Sequence, residues 1–186
     1  MEVTLRPLRR TDFAMLAGWL REPLVAEWWH DDPTGDALAR QYGPAIAGAE
    51  PTVLRIGLVD GEPAGLVQWY RLDDEPEYAA ELRPWLPVPR GAWSLDYLLA
   101  GSRFRGRGVA SDMLRLALRA IGPAEVIVPV HERNAASQAL LRRVGFVRVA
   151  TARLEPDNPV HSRAHAVLVR RHGAAALSTG RRHPQH

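Results

Sequence analysis

Val3, Leu5 and Pro7 alternate with polar neighbours at the head of the chain, which predicts a strand over Val3–Leu8. Thr11 or Asp12 can cap a helix that runs to Arg21, because Phe13, Leu16, Ala17 and Leu20 fall on one helical face. Pro23 breaks its end. Asp36–Ile46 reads as a second helix. Val53–Val59 and Ala64–Leu72 are apolar runs around Asp60-Gly61-Glu62-Pro63, a hairpin pattern. Residues 73–90 carry no such period and read as a long loop. Trp93–Ala100 is the next strand, and a helix ending at Ile121 buries Met113, Leu114, Ala117, Leu118 and Ile121. Glu125–Val130 is a buried strand. Asn134 caps a helix over Ala135–Val144, which Gly145 closes. Phe146–Leu154 and His165–Arg170 are the last two strands. Residues 1–172 are expected to form a single domain, and 173–186 a weakly ordered basic tail.

Composition narrows the function. The chain of 186 residues has no cysteine, so disulfides and thiolate metal sites are excluded. Neither a long apolar run nor a leader segment is visible, and a cytoplasmic protein without a membrane role is expected. The net charge of +3 is concentrated at the end: without Arg170, Arg171, Arg181 and Arg182, 20 basic residues face 21 acidic ones. All the basic residues are arginine, and none forms a stripe interleaved with aromatics, so nucleic acid is not an expected partner.

The chemistry gathers between Trp93 and Ile121. Gly101-Ser102-Arg103-Phe104-Arg105-Gly106-Arg107-Gly108-Val109-Ala110 is a glycine-rich basic turn between a strand and a helix. Glycines let backbone N–H groups converge, and a helix start adds unpaired donors, so the turn suits a phosphate or pyrophosphate. A Walker loop is excluded because the chain has no lysine, and the dinucleotide fingerprint lacks its third glycine. Arg-x-x-Gly-x-Ala remains, filled by Arg105, Gly108 and Ala110. It resembles the acetyl-CoA loop of the GCN5-related N-acetyltransferases (GNAT). Asn134-Ala135-Ala136-Ser137 with Leu140-Leu141-Arg142-Arg143-Val144-Gly145-Phe146, beginning 26 residues after Gly108, resembles that family's second motif.

The resemblance covers the whole chain. It implies an α+β GNAT fold, with a mixed, mostly antiparallel central sheet flanked by helices. It implies acetyl-CoA as cosubstrate, held by Leu98, Arg103, Arg105, Gly106, Arg107, Gly108, Val109, Ala110, Asn134 and Ser137. Within the superfamily, Glu27-Trp28-Trp29, the run Tyr70–Ala80 and Leu95-Asp96-Tyr97-Leu98 are similar to aminoglycoside 6'-N-acetyltransferases. The implied acceptor is a small polycation, which needs carboxylates over aromatic platforms. Trp28, Trp29, Asp74, Glu75, Glu77, Tyr78 and Asp96 supply those types. One tryptophan of the adjacent pair lines a cavity, or both pack a helix end.

Asp96 is the candidate base, because it sits in the strand that leads to the glycine turn; its neighbours Leu95, Leu98 and Leu99 offer an apolar setting that raises a carboxyl pKa. Leu141 stands where many GNAT enzymes carry a tyrosine as general acid; the resemblance then leaves water or Tyr97 to protonate the leaving thiolate, or a thiolate that needs no strong acid. An aspartate common before the motif's asparagine is replaced here by His131 or Glu132. His161 and His165, four apart, could form a metal pair, but scattered surface histidines are the better reading and no metal is expected. Related expectations are a siderophore-type acyltransferase, a peptide N-acetyltransferase, and a non-catalytic acetyl-CoA sensor. A monomer or a homodimer is compatible with the pattern.

Overall fold

The computed structural model describes residues 1–171; the tail expected over 173–186 lies outside the described residues. Seven strands form one sheet in the order β1-β2-β3-β4-β5-β7-β6. They are β1 (Val3–Pro7), β2 (Val53–Val59), β3 (Glu62–Arg71), β4 (Trp93–Leu99), β5 (Val126–His131), β6 (Val147–Arg153) and β7 (Ala164–Arg170). Every neighbouring pair is antiparallel except β4–β5. This is the mixed, mostly antiparallel sheet expected from the sequence. Among the described residues six α-helices flank it: α1 (Phe13–Leu20), α2 (Pro23–Ala26), α3 (Gly35–Ile46), α4 (Pro76–Leu82), α5 (Val109–Ile121) and α6 (Ala135–Arg143). Among the described residues no helix is long and apolar enough to cross a membrane.

Strand alternation divides the core. Leu95 of β4, Val67 of β3 and Val128 of β5 pack beneath α5 and α6 with Met113, Leu114 and Leu141. Leu98, Leu66 and Ile56 point the other way, against Leu16, Leu20 and Leu38 of α1 and α3. A third cluster joins Leu82 of α4 to Ile127, Val167 and Val169 of β5 and β7. Met113 lies over Gly57 and Gly65, where no side chain fits: a Cβ on Gly65 would stand 2.3 Å from the Leu98 carbonyl oxygen.

Two sequence expectations need correction. The hairpin turn is tighter than four residues: Asp60 and Gly61, at φ of 49° and 85°, make a two-residue turn, and β3 begins at Glu62. The stretch over 73–90 is not a plain loop. Pro76 starts α4, which buries Ala79 and Leu82 three residues apart while Glu77 remains in solvent. A helix this short shows too little periodicity to stand out among four prolines.

Candidate active site

β4 and β5 meet only at Trp93↔Val126, where Trp93 N–H donates to Glu125 O at 2.9 Å. Beyond that pair the strands part, and the β5-facing backbone groups of β4 have no strand partner. A cavity of about 820 Å³ occupies the gap. It reaches both faces of the sheet, because consecutive residues of β4 point in opposite directions. Asp96 opens on the α1–α3 side. Tyr97 opens on the α5–α6 side, packed against that cluster.

Asp96 is opposite Gln68 in the β3–β4 register, and Gln68 Nε2 donates to Asp96 Oδ2 at 2.9 Å. Burial raises the Asp96 carboxyl to about 6, the Gln68 bond partly offsets this, and Asp157 adds to the rise. Asp157 is likewise raised, by burial first and then by Asp31. Asp31 is held differently. The Tyr42 hydroxyl donates to its Oδ2 at 2.5 Å and the Trp29 indole N–H to the same oxygen at 2.8 Å. Glu75 also lines the cavity, and burial, then Glu50 and Asp74, raise its carboxyl. One side of the cavity is therefore rich in carboxylates, and one of them, Asp96, is raised to about 6.

The other side is built from helix starts. Gly108, at φ 83°, turns the chain into α5 and caps it, and Asp112 N–H donates back to its carbonyl at 3.0 Å. The N–H groups of the first turn of α5 are thus free of helix partners. Ser111 Oγ is buried there and has no hydrogen-bond partner among the described residues. A Cβ on Gly106 or Gly108 would meet nothing within 4 Å, so the turn is open to an anionic group. Asn134 caps α6 by accepting from Ser137 N–H at 3.0 Å. Ser137 Oγ lies 2.5 Å from the Tyr97 hydroxyl, whose pKa is raised, chiefly by burial.

The structure brings most of the sequence candidates together. Trp28, Trp29, Glu75, Tyr78, Asp96, Tyr97, Leu98, Arg105, Gly106, Ala110, Asn134 and Ser137 all border the large cavity. Gly108 and Val109 border a smaller one of about 110 Å³ beside the same turn. Four candidates lie elsewhere. Arg103 turns to Glu62 on the β2–β3 hairpin, with its guanidinium 4.6 Å from the Phe104 ring centre. Arg107 is exposed beside the turn. Asp74 and Glu77 are exposed and outside the cavity lining, because Asp74 ends the turn after β3 and Glu77 is on the solvent side of α4. Both tryptophans face the cavity: Trp29 reaches Asp31, and Trp28 packs on histidines.

The model of the acetyltransferase (GNAT) domain matches residues 9–154. The chain belongs to the GNAT acetyltransferase family. Two curated relatives, the type 1 aminoglycoside N(6')-acetyltransferases of Klebsiella pneumoniae and Serratia marcescens, are each 26% identical over 166 residues, covering 84% of this chain and 79% of theirs. The crystal structure of the aminoglycoside acetyltransferase AAC(6')-Ib with coenzyme A and kanamycin superposes with a TM-score of 0.74, at 24% identity over 91% of this chain and 95% of that one. That likeness carries the fold.

Sequence reasoning missed several groups of this acetyltransferase. The sequence patterns do not single out Asp31, Tyr42, Gln68 or Asp157. Asp157 reaches the cavity from the connection between β6 and β7. Gln68 had one readable signal, a polar residue at an inward position of a buried strand. The histidines also differ from expectation. His131 and His165 are buried, and with His161 they cluster against Trp28 instead of scattering over the surface. Among the described residues no three His, Asp or Glu side chains could together hold a metal ion.

Proposed function

We propose that this acetyltransferase moves the acetyl group of acetyl-CoA directly onto a primary amine of a small polycation, the 6'-amine of an aminoglycoside. The observation that carries the reading is Asp96: a half-buried carboxyl, raised to about 6, at the parting of β4 and β5. The names of the curated relatives support the acceptor class. Acetyl-CoA, when bound, supplies the thioester carbon that the amine attacks.

The residues divide the remaining work. The open turn at Arg105, Gly106 and Gly108, the first N–H groups of α5 and Ser111 Oγ suit the anionic part of the cosubstrate. Backbone groups of β4 around Leu98, free of β5, are placed to polarise a carbonyl in the gap. An aliphatic amine is mostly protonated at pH 7 and must lose a proton before its lone pair can react. Asp96 Oδ accepts that proton, directly or through a water. Asp31, Asp157 and Glu75 meet the acceptor's other ammonium groups. Tyr97 Oη, kept protonated by burial and held by Ser137, stands on the opposite face to give a proton to the departing sulfur.

The test is thiol release from acetyl-CoA with kanamycin and with an analogue bearing a 6'-hydroxyl. Release with kanamycin alone is expected. Binding of acetyl-CoA without release on any aminoglycoside overturns the reading.

A further inference from the structure

Residues 154–163 join β6 to β7 and carry Asp157 into the cavity. The connection is tied to three separate parts of the fold. Glu155 N–H donates to Glu81 Oε1 of α4 at 2.9 Å. Asn158 Nδ2 donates to Glu27 O, beyond α2, at 3.4 Å. The third tie is made of rings. His161 lies with its centroid 4.8 Å from Trp28 and 4.8 Å from His131, so its ring joins the second residue after α2 to the end of β5.

Hydrogen bonds set the state of this stack. Arg133 N–H donates to His131 Nδ1 at 3.3 Å, so that nitrogen carries a lone pair. His131 Nε2 then bears the proton and donates to Ser162 O at 3.0 Å, a bond back to the connection itself. Both ring nitrogens are satisfied only when the imidazole is neutral. Burial, then His165, together with His161 and Arg133, also holds it below the ordinary histidine range. His165, opposite His131 in the β5–β7 register, meets it edge-on at 5.4 Å. The neutral His131 ring can therefore pack closely against its neighbours without bringing a charge into the cluster.

We propose that the Trp28–His161–His131 stack is a clasp that positions the acceptor site: it fastens the β6–β7 connection to β5 and to the end of α2, and so fixes the Asp157 carboxylate in the cavity. His161 is a positioning residue that acts through Asp157. The inference rests on the function proposed above only in that an ammonium group of the acceptor meets Asp157.

The experiment compares His161→Ala, His161→Phe, Asp157→Asn and the Ala/Asn double variant in the full chain. His161→Ala raises the KM for kanamycin about tenfold, leaves the KM for acetyl-CoA unchanged and keeps kcat within about threefold. His161→Phe restores the ring and the KM. The double variant is no worse than Asp157→Asn, since both changes remove one contact. Additive effects, or an unchanged kanamycin KM in His161→Ala, overturn the clasp. Amide hydrogen exchange over 155–163 reads the same device without an acceptor: His161→Ala speeds it and His161→Phe does not. Unchanged exchange in His161→Ala also overturns the proposal. Absence of turnover by the wild type on every aminoglycoside counts against the function alone, and exchange then decides the clasp.

Discussion

Gln68 Nε2 donates to Asp96 Oδ2 at 2.9 Å across the β3–β4 register. The bond fixes the carboxylate's direction and favours its charged form, against a burial that favours the neutral one. Gln68→Leu removes the donor and leaves the burial. The Asp96 pKa therefore rises further, and the acid limb of kcat/KM, set near pH 6 in the wild type, moves to higher pH. A pH–rate profile of the two proteins checks this. An acid limb that stays in place, or moves down, means that a group other than Asp96 sets it.

The same burial makes Asp96 a cost to the fold. An aspartate titrates near 3.9 in the unfolded chain and near 6 here. The native state thus holds the proton more tightly, and stability present below about pH 4 is lost as pH rises through 6. Two units at 1.36 kcal/mol each amount to ~3 kcal/mol. Asp96→Asn is expected to gain stability over the wild type by that order more at pH 8 than at pH 4, in urea unfolding at the two pH values. The same variant is expected to lose about a hundredfold or more in kcat with the acetyl-CoA KM unchanged. Gain of stability with loss of activity separates a buried base from a structural aspartate, whose removal would lower both.

The layers of the fold were legible because the patterns were local. Met113, Leu114, Ala117 and Leu118 mark one face of α5, and Asn134 with Gly145 brackets α6. The glycine turn was equally plain, since Gly106 and Gly108 adopt left-handed φ that glycine favours. The acceptor side was legible only in part: Asp96, Glu75, Tyr78 and the two tryptophans could be read, whereas Asp31, Gln68 and Asp157 could not. Asp31, Gln68, Asp96 and Asp157 belong to four segments and share no spacing; only the parting of β4 from β5 and the β6–β7 connection bring them together. The acidic run at Asp73–Glu81 was the more conspicuous signal, and α4 then turned part of it to solvent.

Tyr97 follows Asp96 in sequence but stands on the other face of β4, with its hydroxyl 2.5 Å from Ser137 Oγ. Leu141, where the family pattern favours a tyrosine, is fully buried and carries no proton to give. Tyr97→Phe keeps the ring and removes the only hydroxyl on β4 itself that borders the cavity. Its expected effect is a fall in kcat of tenfold or more, with little change in the kanamycin KM. Replacing the acetyl thioester by one with a more acidic leaving thiol relieves the loss, because such a sulfur departs without a proton. A loss that is the same for both thioesters would falsify the role of acid and leave Tyr97 as a packing group for α6.

The two sets of carboxylates make a direct contrast. Asp31 and Asp157 border the cavity, and Asp31 is aimed by two donors, Tyr42 and Trp29. Asp74 and Glu77 are exposed outside the lining. Asp31 is half-buried; Asp157 is exposed but borders the cavity, so an ammonium group bound there meets each of them in a charge-assisted bond that Asp74 and Glu77 are too far outside to make. Asp31→Asn and Asp157→Asn are each expected to raise the kanamycin KM about tenfold, roughly 1.4 kcal/mol. The Asp74→Asn, Glu77→Gln pair is expected to change it less than twofold at about 0.15 M salt, where the Debye length is about 8 Å. Lowering the salt sharpens the comparison. If Asp74 and Glu77 act only by drawing a cation toward the mouth, their effect grows at low ionic strength and falls on kcat/KM alone. If instead their removal raises KM as much as loss of Asp157 does at 0.15 M salt, the acceptor lies over α4 and not in the gap between β4 and β5.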